Sequence, residues 1–156
     1  MVDTGVTKSR GVIFAPDRAS RLHSFSFFLQ LKRGSAIGFT PIVALWNEDV
    51  QRATDILYTG PVQKCQSAEF EEIMCEIPED LEIAASRDAP LVLAFWSELV
   101  TETRSAGAEL AQVLGVVAEP IIRRSIYLNG KMTTGTWRTY ESTLVGKFHF
   151  TPTVAP

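Results

Sequence analysis

Residues 22–31, LHSFSFFLQL, decide the fold class of this chain. Alternate positions form two series. The mostly apolar series is His23, Phe25, Phe27, Leu29 and Leu31, and the mostly polar series is Ser24, Ser26, Phe28 and Gln30. A period of two is that of a β-strand with one face in the core. We therefore expect His23 on the apolar face and Phe28 on the polar face.

Two further segments are apolar at nearly every position. They are residues 39–46, FTPIVALW, and residues 91–96, LVLAFW. Runs of this length that are rich in branched and aromatic side chains are typical of strands buried on both faces. Both segments are expected in the interior of a sheet, and Trp96 is expected in the core.

Shorter apolar segments predict the remaining strands: residues 11–15, 56–58, 70–77, 81–84, 125–128 and 144–150. The pair Asn129 and Gly130 is a turn signal. Residues 105–117 are the one candidate for a helix, but Gly107 and Gly115 favour a loop followed by a strand over residues 113–117. The pattern predicts an all-β chain with little helix, folded as an antiparallel two-sheet β-sandwich or jelly roll.

Composition predicts an ordinary globular domain. The chain has 156 residues, of which 46% are hydrophobic and 21% charged, and its net charge is -3. We expect one domain over residues 1–156, with its core over about residues 10–151. The charge excludes a general attraction for nucleic acid, and no apolar run approaches the about 18 residues that a membrane helix needs.

The order of these segments resembles the jelly-roll domain of exosortase-sorted bacterial surface proteins. The resemblance covers most of residues 10–151 and rests on Trp46 closing a central strand, on Ala53 with residues 57–60 (LYTG), and on Trp137 before the last strand. It implies a noncatalytic surface domain linked to exopolysaccharide. The chain departs from that family because residues 1–10 lack the apolar core of a signal peptide and TPTVAP at residues 151–156 lacks the Pro-Glu-Pro anchor. For the sequence as given, the expected location is the cytoplasm. If the sequence is a trimmed mature domain, the expected location is extracellular.

Motifs for catalysis, cofactors and metals are weak. No G-x-S-x-G, H-E-x-x-H, C-x-x-C or G-x-G-x-x-G pattern occurs, and Thr136 stands where a P-loop needs lysine. His23 and His149 are the only candidate bases, and both are expected to be structural or solvated. We therefore predict no catalytic residue, no metal ligand and no cofactor.

Seven acidic residues lie between positions 69 and 82: Glu69, Glu71, Glu72, Glu76, Glu79, Asp80 and Glu82. They could offer oxygen ligands to calcium or a carboxylate pair for glycoside hydrolysis. The alternative, which we favour, is a solvated strand face that protects a sheet edge.

Cys65 and Cys75 are the only cysteines. They are too few for a disulfide scaffold. Two readings remain open, a single cross-strand disulfide or two buried thiols that act as small hydrophobic residues.

Aromatic residues beside polar ones supply the candidate ligand site. Trp137, Arg138 and Tyr140 lie in a polar, turn-rich segment, and Trp46 and Asn47 lie at a strand end. Aromatic rings could carry sugar rings while neighbouring polar groups bind hydroxyls, although most large aromatics in a sandwich are core residues. Phe28, alone on a polar face, predicts a subunit or partner interface.

The sequence thus favours a noncatalytic binding module for a carbohydrate or a protein surface, forming a homo-oligomer through Phe28. Two alternatives stay open. One is a hydrolase-like enzyme that uses carboxylates, and the other is a homo-oligomeric structural protein from an environmental or mobile gene.

Overall fold

A computed structural model describes residues 8–33, 37–97, 109–112, 114–116, 122–129, 136–140, 142–144 and 146–153. It describes the side chains of residues 11–30, 38, 40–95 and 146–153, and the backbone alone elsewhere. These residues form antiparallel strands and no helix. Nothing in the described part of the chain is a helix that could span a membrane.

The larger sheet has seven strands. They are β1 (Lys8–Phe14), β3 (Ile37–Asn47), β4 (Arg52–Thr59), β5 (Gln63–Cys65), β8 (Leu91–Ser97), β11 (Ile122–Asn129) and β12 (Thr136–Tyr140). Their order is β12-β11-β1-β8-β3-β4, and β5 pairs with the beginning of β3. The two doubly apolar segments are β3 and β8, which are neighbours inside this sheet.

The smaller sheet has five strands. They are β2 (Ser20–Arg33), β6 (Glu71–Glu76), β7 (Ala84–Ala85), β9 (Glu109–Gln112) and β14 (Gly146–Pro152). The long strand β2 pairs with all four others. A separate pair joins β10 (Leu114–Val116) to β13 (Ser142–Leu144).

The main core lies between the two sheets. A cluster of phenylalanines fills it: Phe14 from β1, Phe25 and Phe27 from β2, Phe95 from β8, and Phe148 and Phe150 from β14. The rings of Phe27 and Phe95 meet edge to face at 5.3 Å, and those of Phe14 and Phe150 at 5.2 Å. Edge-to-face pairs at these separations are favourable beyond their buried area. The packing of these phenylalanines joins the two sheets into a sandwich.

A second apolar cluster lies on the other face of the seven-stranded sheet. Its members are buried: Ile13, Ile42, Ala44, Trp46, Ala53, Val92 and Ala94. Val92 and Ala94 alternate with Leu91 and Leu93, which belong to the main core. Strands β3 and β8 are therefore buried on both faces, as their continuous apolar sequences predict.

The predicted all-β, two-sheet sandwich is confirmed. The sheet orders do not establish the connections of a jelly roll. The favoured strand over residues 113–117 is confirmed for the described positions 114–116, and its helical alternative is wrong there. Residue 130 of the predicted turn, and Val113 and Val117 of the predicted strand, lie outside the described residues.

Two strand predictions need correction. Residues 81–83 are irregular because Leu81 donates its backbone N–H to the carbonyl of Pro78 in a turn, and only Ala84–Ala85 pairs with β2. Residues 144–150 do not form one strand, because Leu144 belongs to β13 and β14 begins at Gly146. A Cβ at Gly146 would lie 2.0 Å from the carbonyl oxygen of Ser26, so glycine permits this close approach.

Candidate binding site

A β-bulge in β2 changes the face on which His23 lies. Along the pairing of β2 with β14, Ser24 faces His149 and Leu22 faces Phe150, so His23 is an extra residue between them. Leu22 and Phe25 are both in the core, at 0% and 1% exposure. The prediction that His23 lies on the apolar face is wrong, because the bulge turns it to the outer face.

The bulge brings the two histidines of the chain together. The ring centroids of His23 and His149 are 4.9 Å apart and the planes are tilted by 37°. Nε2 of His23 lies 2.8 Å from Oγ1 of Thr151, within hydrogen-bond distance. His149 is exposed, as its alternation with Phe148 and Phe150 predicts. Two residues that looked unrelated in the sequence therefore form a pair.

Charged and polar side chains surround this pair on the outer face of the five-stranded sheet. We define the outer face by ten residues on β2, β6 and β14: Arg21, His23, Ser24, Ser26, Glu72, Met74, Glu76, Lys147, His149 and Thr151. Seven of them are exposed or carry charge, and only Ser26 is buried. The face is thus open to solvent and mostly polar.

Short polar contacts hold several of these side chains in place. Ser26 donates a hydrogen bond of 2.7 Å to the carboxylate of Glu72, which also lies 3.7 Å from the ammonium of Lys147. Arg21 donates a hydrogen bond of 2.6 Å to the carbonyl of Glu79 and lies 3.9 Å from the carboxylate of Glu82. Exposed ion pairs contribute little to stability, so their main effect is to set the positions of charge on the face.

The acidic stretch is largely solvated, as favoured from the sequence. Glu69, Glu72, Glu76, Glu79, Asp80 and Glu82 are exposed. Glu71 is the exception, since it is half-buried and lies beside Cys65. Among the described residues, no group of three or more histidine, cysteine or acidic side chains is placed to hold a metal ion.

Trp46 and Asn47 build the turn between β3 and β4. Trp46 is 5% exposed, and its indole N–H donates a hydrogen bond of 2.8 Å to the carboxylate of Glu48. Oδ1 of Asn47 accepts from the backbone N–H of Asp49 at 2.9 Å and of Val50 at 3.2 Å. A buried indole has no open ring face for a sugar, and the carbonyl of Asn47 is engaged in the turn.

Trp137, Arg138 and Tyr140 lie on β12, at one end of the strand order of the seven-stranded sheet. Trp137 pairs with Leu128 and Tyr140 with Ser125, while their side chains lie outside the described part of the structure. Because a strand alternates its faces, positions 138 and 140 share one face and position 137 the other. The part of Trp137, Arg138 and Tyr140 in a ligand site stays a prediction.

Phe28 is half-buried and pairs with Glu72 of β6. It lies next to the polar residues of the outer face, as its place in the alternation predicts. Its part in a subunit interface stays a prediction. Trp96, predicted in the core, is described for its backbone in β8 alone.

Cys65 and Cys75 are both free thiols and both buried. Burial is the main cause that raises the pKa of Cys65 to about 11, and the negative charge of Glu71 adds to it. Burial also raises the pKa of Cys75 to about 12, with a further contribution from Glu76. A thiol that resists ionisation is a poor nucleophile, so both residues act as small apolar side chains of the core.

The native thiols are expected to react with an alkylating reagent at pH 8 at least about a hundredfold more slowly than in denatured protein. Raising the thiol pKa from 9.0 to about 11 lowers the fraction of thiolate by about that factor. Stopped-time alkylation followed by mass spectrometry measures both rates, and denatured protein should show two thiols. Two rapidly modified native cysteines would contradict this assignment.

Comparison with known proteins identifies no relative. No family model matches the chain, and neither a curated protein nor a solved structure does.

Proposed function

We propose that this protein is a noncatalytic binding module that takes a carbohydrate on the outer face of its five-stranded sheet. The observation that carries the proposal is the paired histidines among hydrogen-bonding side chains on an open and polar sheet face. Arg21, Lys147 and Thr151 carry donors, while Glu72 and Glu76 carry acceptors. Sugar hydroxyls both donate and accept, so groups of both kinds suit them.

The backbone beneath this face favours a preformed site. In the stretch that carries Ser24 and Ser26, β2 is hydrogen-bonded to β14 on one edge and to β6 on the other. Its opposite face is fixed in the core by Phe25 and Phe27. Positions that are set before binding lose little conformational entropy when a ligand arrives.

The dimensions of the face also suit an oligosaccharide. Neighbouring strands lie about 4.8 Å apart, so β14, β2 and β6 together span about 10 Å. Along β14, Lys147 and Thr151 are separated by about 13 Å at a rise of about 3.3 Å per residue. A segment of a sugar chain can lie along this surface and meet polar groups from all three strands.

Charge makes this face less suitable for a protein partner. The buried centre of a protein interface is depleted of charged residues and enriched in apolar ones. Here the large apolar side chains are Met74, at 42% exposure, and the half-buried Phe28, and charged residues such as Arg21, Lys147 and Glu76 surround them. The resemblance to exosortase-sorted surface domains also supports a carbohydrate, since that family is linked to exopolysaccharide.

Glycan-array binding of matched variants tests the proposal. His149→Ala is expected to lower binding of the best glycan by about tenfold or more, since it removes an exposed ring and a hydrogen-bonding group worth about 1.4 kcal/mol together. Asp55→Ala, an exposed position on β4 of the other sheet, is the matched control and should bind as the wild type does.

Trp137→Ala distinguishes the two candidate locations. If it binds as the wild type does while His149→Ala does not, the outer face is supported. If only Trp137→Ala loses binding while its thermal melting is unchanged, the ligand binds at β12 and the proposed location is wrong. A wild-type protein that binds no glycan on a broad array would contradict the carbohydrate proposal and favour a protein ligand.

A further inference from the structure

We propose that His23 and His149 form a binding site for a divalent transition-metal ion, and that Cu²⁺ binds there most tightly. The inference rests on the geometry of the pair and on its hydrogen bond to Thr151. It uses the same two histidines as the carbohydrate proposal, but its tests need only the metal, so either proposal can fail without the other.

The separation of the rings fits two imidazoles on one ion. A nitrogen-bound metal lies about 2.0–2.1 Å from the ligating atom, which puts it about 3.2 Å from the ring centroid. Two centroids 4.9 Å apart would then subtend an angle of about 100° at the metal. This value lies between the angles of octahedral and tetrahedral coordination. Rotation about the side-chain bonds of the two rings would direct one nitrogen of each towards the shared position.

Thr151 has the role of the partner that orients a metal-bound histidine. Its hydroxyl lies 2.8 Å from Nε2 of His23. When Nε2 carries the proton and donates to Thr151, the lone pair of His23 is on Nδ1 and free to bind a metal. Partners of this kind fix both the tautomer and the orientation of the ring.

The bulge gives this arrangement its rigidity. Because His23 is the extra residue opposite His149 and Phe150, both histidines lie on the same face of adjoining strands. Leu22 and Phe25 fix the backbone on each side of the bulge in the core. Two ligands held on paired strands lose less freedom on chelation than two ligands on loops.

The ligand set determines which metals are expected. Two imidazole nitrogens suit copper, nickel and zinc, whereas calcium and magnesium prefer oxygen ligands. Affinity should follow the order Cu²⁺ above Ni²⁺ and Zn²⁺. The described residues provide no group of three or more metal-binding side chains, so water or a ligand would complete the coordination.

The charges near the pair do not oppose a cation strongly. Lys147, two positions from His149, is paired with Glu72, and Arg21 is close to Glu82. Glu76 lies in register with Ser24 on the far side of β2, so it adds negative charge to the face without sharing a strand pair with His149.

Calorimetric titration of tag-free protein with Cu²⁺ and with Ni²⁺ tests the site. Wild type should bind one ion, and His23→Gln or His149→Gln should weaken binding by at least about tenfold. Thr151→Val should weaken it by about 10–100-fold, as loss of an orienting partner does. Asp55→Asn, on β4 of the other sheet, is the control for loss of an exposed carboxylate and should retain the affinity, and Ca²⁺ should not compete.

Electron paramagnetic resonance of the Cu²⁺ complex provides a readout that needs no variant. Hyperfine structure from two imidazole nitrogens is the expected result. Binding that is unchanged in the protein carrying both His23→Gln and His149→Gln would overturn the proposal. So would a spectrum without two imidazole nitrogens, or no binding at millimolar metal.

Discussion

Replacing Phe27 with alanine is expected to lower the free energy of unfolding by about 3–5 kcal/mol. Phe27 is 1% exposed and lies between the two sheets. The centroid of its ring lies 6.0 Å from that of Phe25, 5.3 Å from that of Phe95 and 6.0 Å from that of Phe148. The substitution removes apolar contacts with both sheets at once and leaves a cavity between them. Urea denaturation measured by circular dichroism gives the change directly.

Phe28 is the matched control because it is the next residue and has the same side chain. It is half-buried and lies on the opposite face of β2. Phe28→Ala should therefore cost about 1.5 kcal/mol or less. Equal losses for the two substitutions would mean that β2 does not present one face to the core, and a larger loss for Phe28 would reverse the assignment of faces.

Replacing Gly11 with alanine is expected to destabilise the protein by about 3 kcal/mol and to lower Tm by about 6–12 °C. Gly11 lies in β1, in register with Ala94 of β8. A Cβ at Gly11 would come within 2.1 Å of the carbonyl oxygen of Leu93 and 2.6 Å of the Cα of Ala94. Both are backbone atoms, so two paired strands must separate to admit one methyl group.

Gly38→Ala is the control for the loss of a strand glycine as such. The nearest atom to a Cβ at Gly38 would be Cγ1 of Val62, at an ordinary contact distance of 3.7 Å. This change should leave Tm the same or raise stability by up to about 1 kcal/mol, since glycine disfavours the folded backbone. If differential scanning calorimetry found the two variants equally stable, β1 and β8 would not approach as closely as described.

Much of the sandwich is predictable because burial leaves a direct mark on the sequence. Alternation at Phe25, Phe27 and Leu29 predicts a strand with one face in the core. Continuous apolar sequence at residues 91–96 predicts the strand buried on both faces. Short strands such as β5 and β9 are harder to predict, because they depend on pairing with distant segments more than on their own residues.

The bulge explains why alternation along the sequence does not predict the histidine pair. A strict period of two places His23 with Phe25, whereas the extra residue shifts the phase between Leu22 and Phe25. The signal that could have revealed it is the spacing of these two apolar residues, which are three positions apart where regular alternation requires two or four. The pairing of β2 with β14 determines the face on which His23 lies, and these two strands are far apart in the chain.

Residue type alone does not identify a ligand-binding residue in this chain. Trp46 next to Asn47 has the residue types of a sugar site, but the ring is buried and the amide oxygen accepts hydrogen bonds within a turn. Residue type indicates what a side chain can bind. Exposure and the partners it already has determine whether it is available to do so.

Nuclear magnetic resonance of ¹⁵N-labelled protein, titrated with the strongest glycan from the array, tests the binding face most directly. We expect shift changes concentrated at residues 21–26, 72–76 and 147–151, on the three strands of the outer face. Changes confined to residues 136–140, or no change at millimolar glycan, would contradict it.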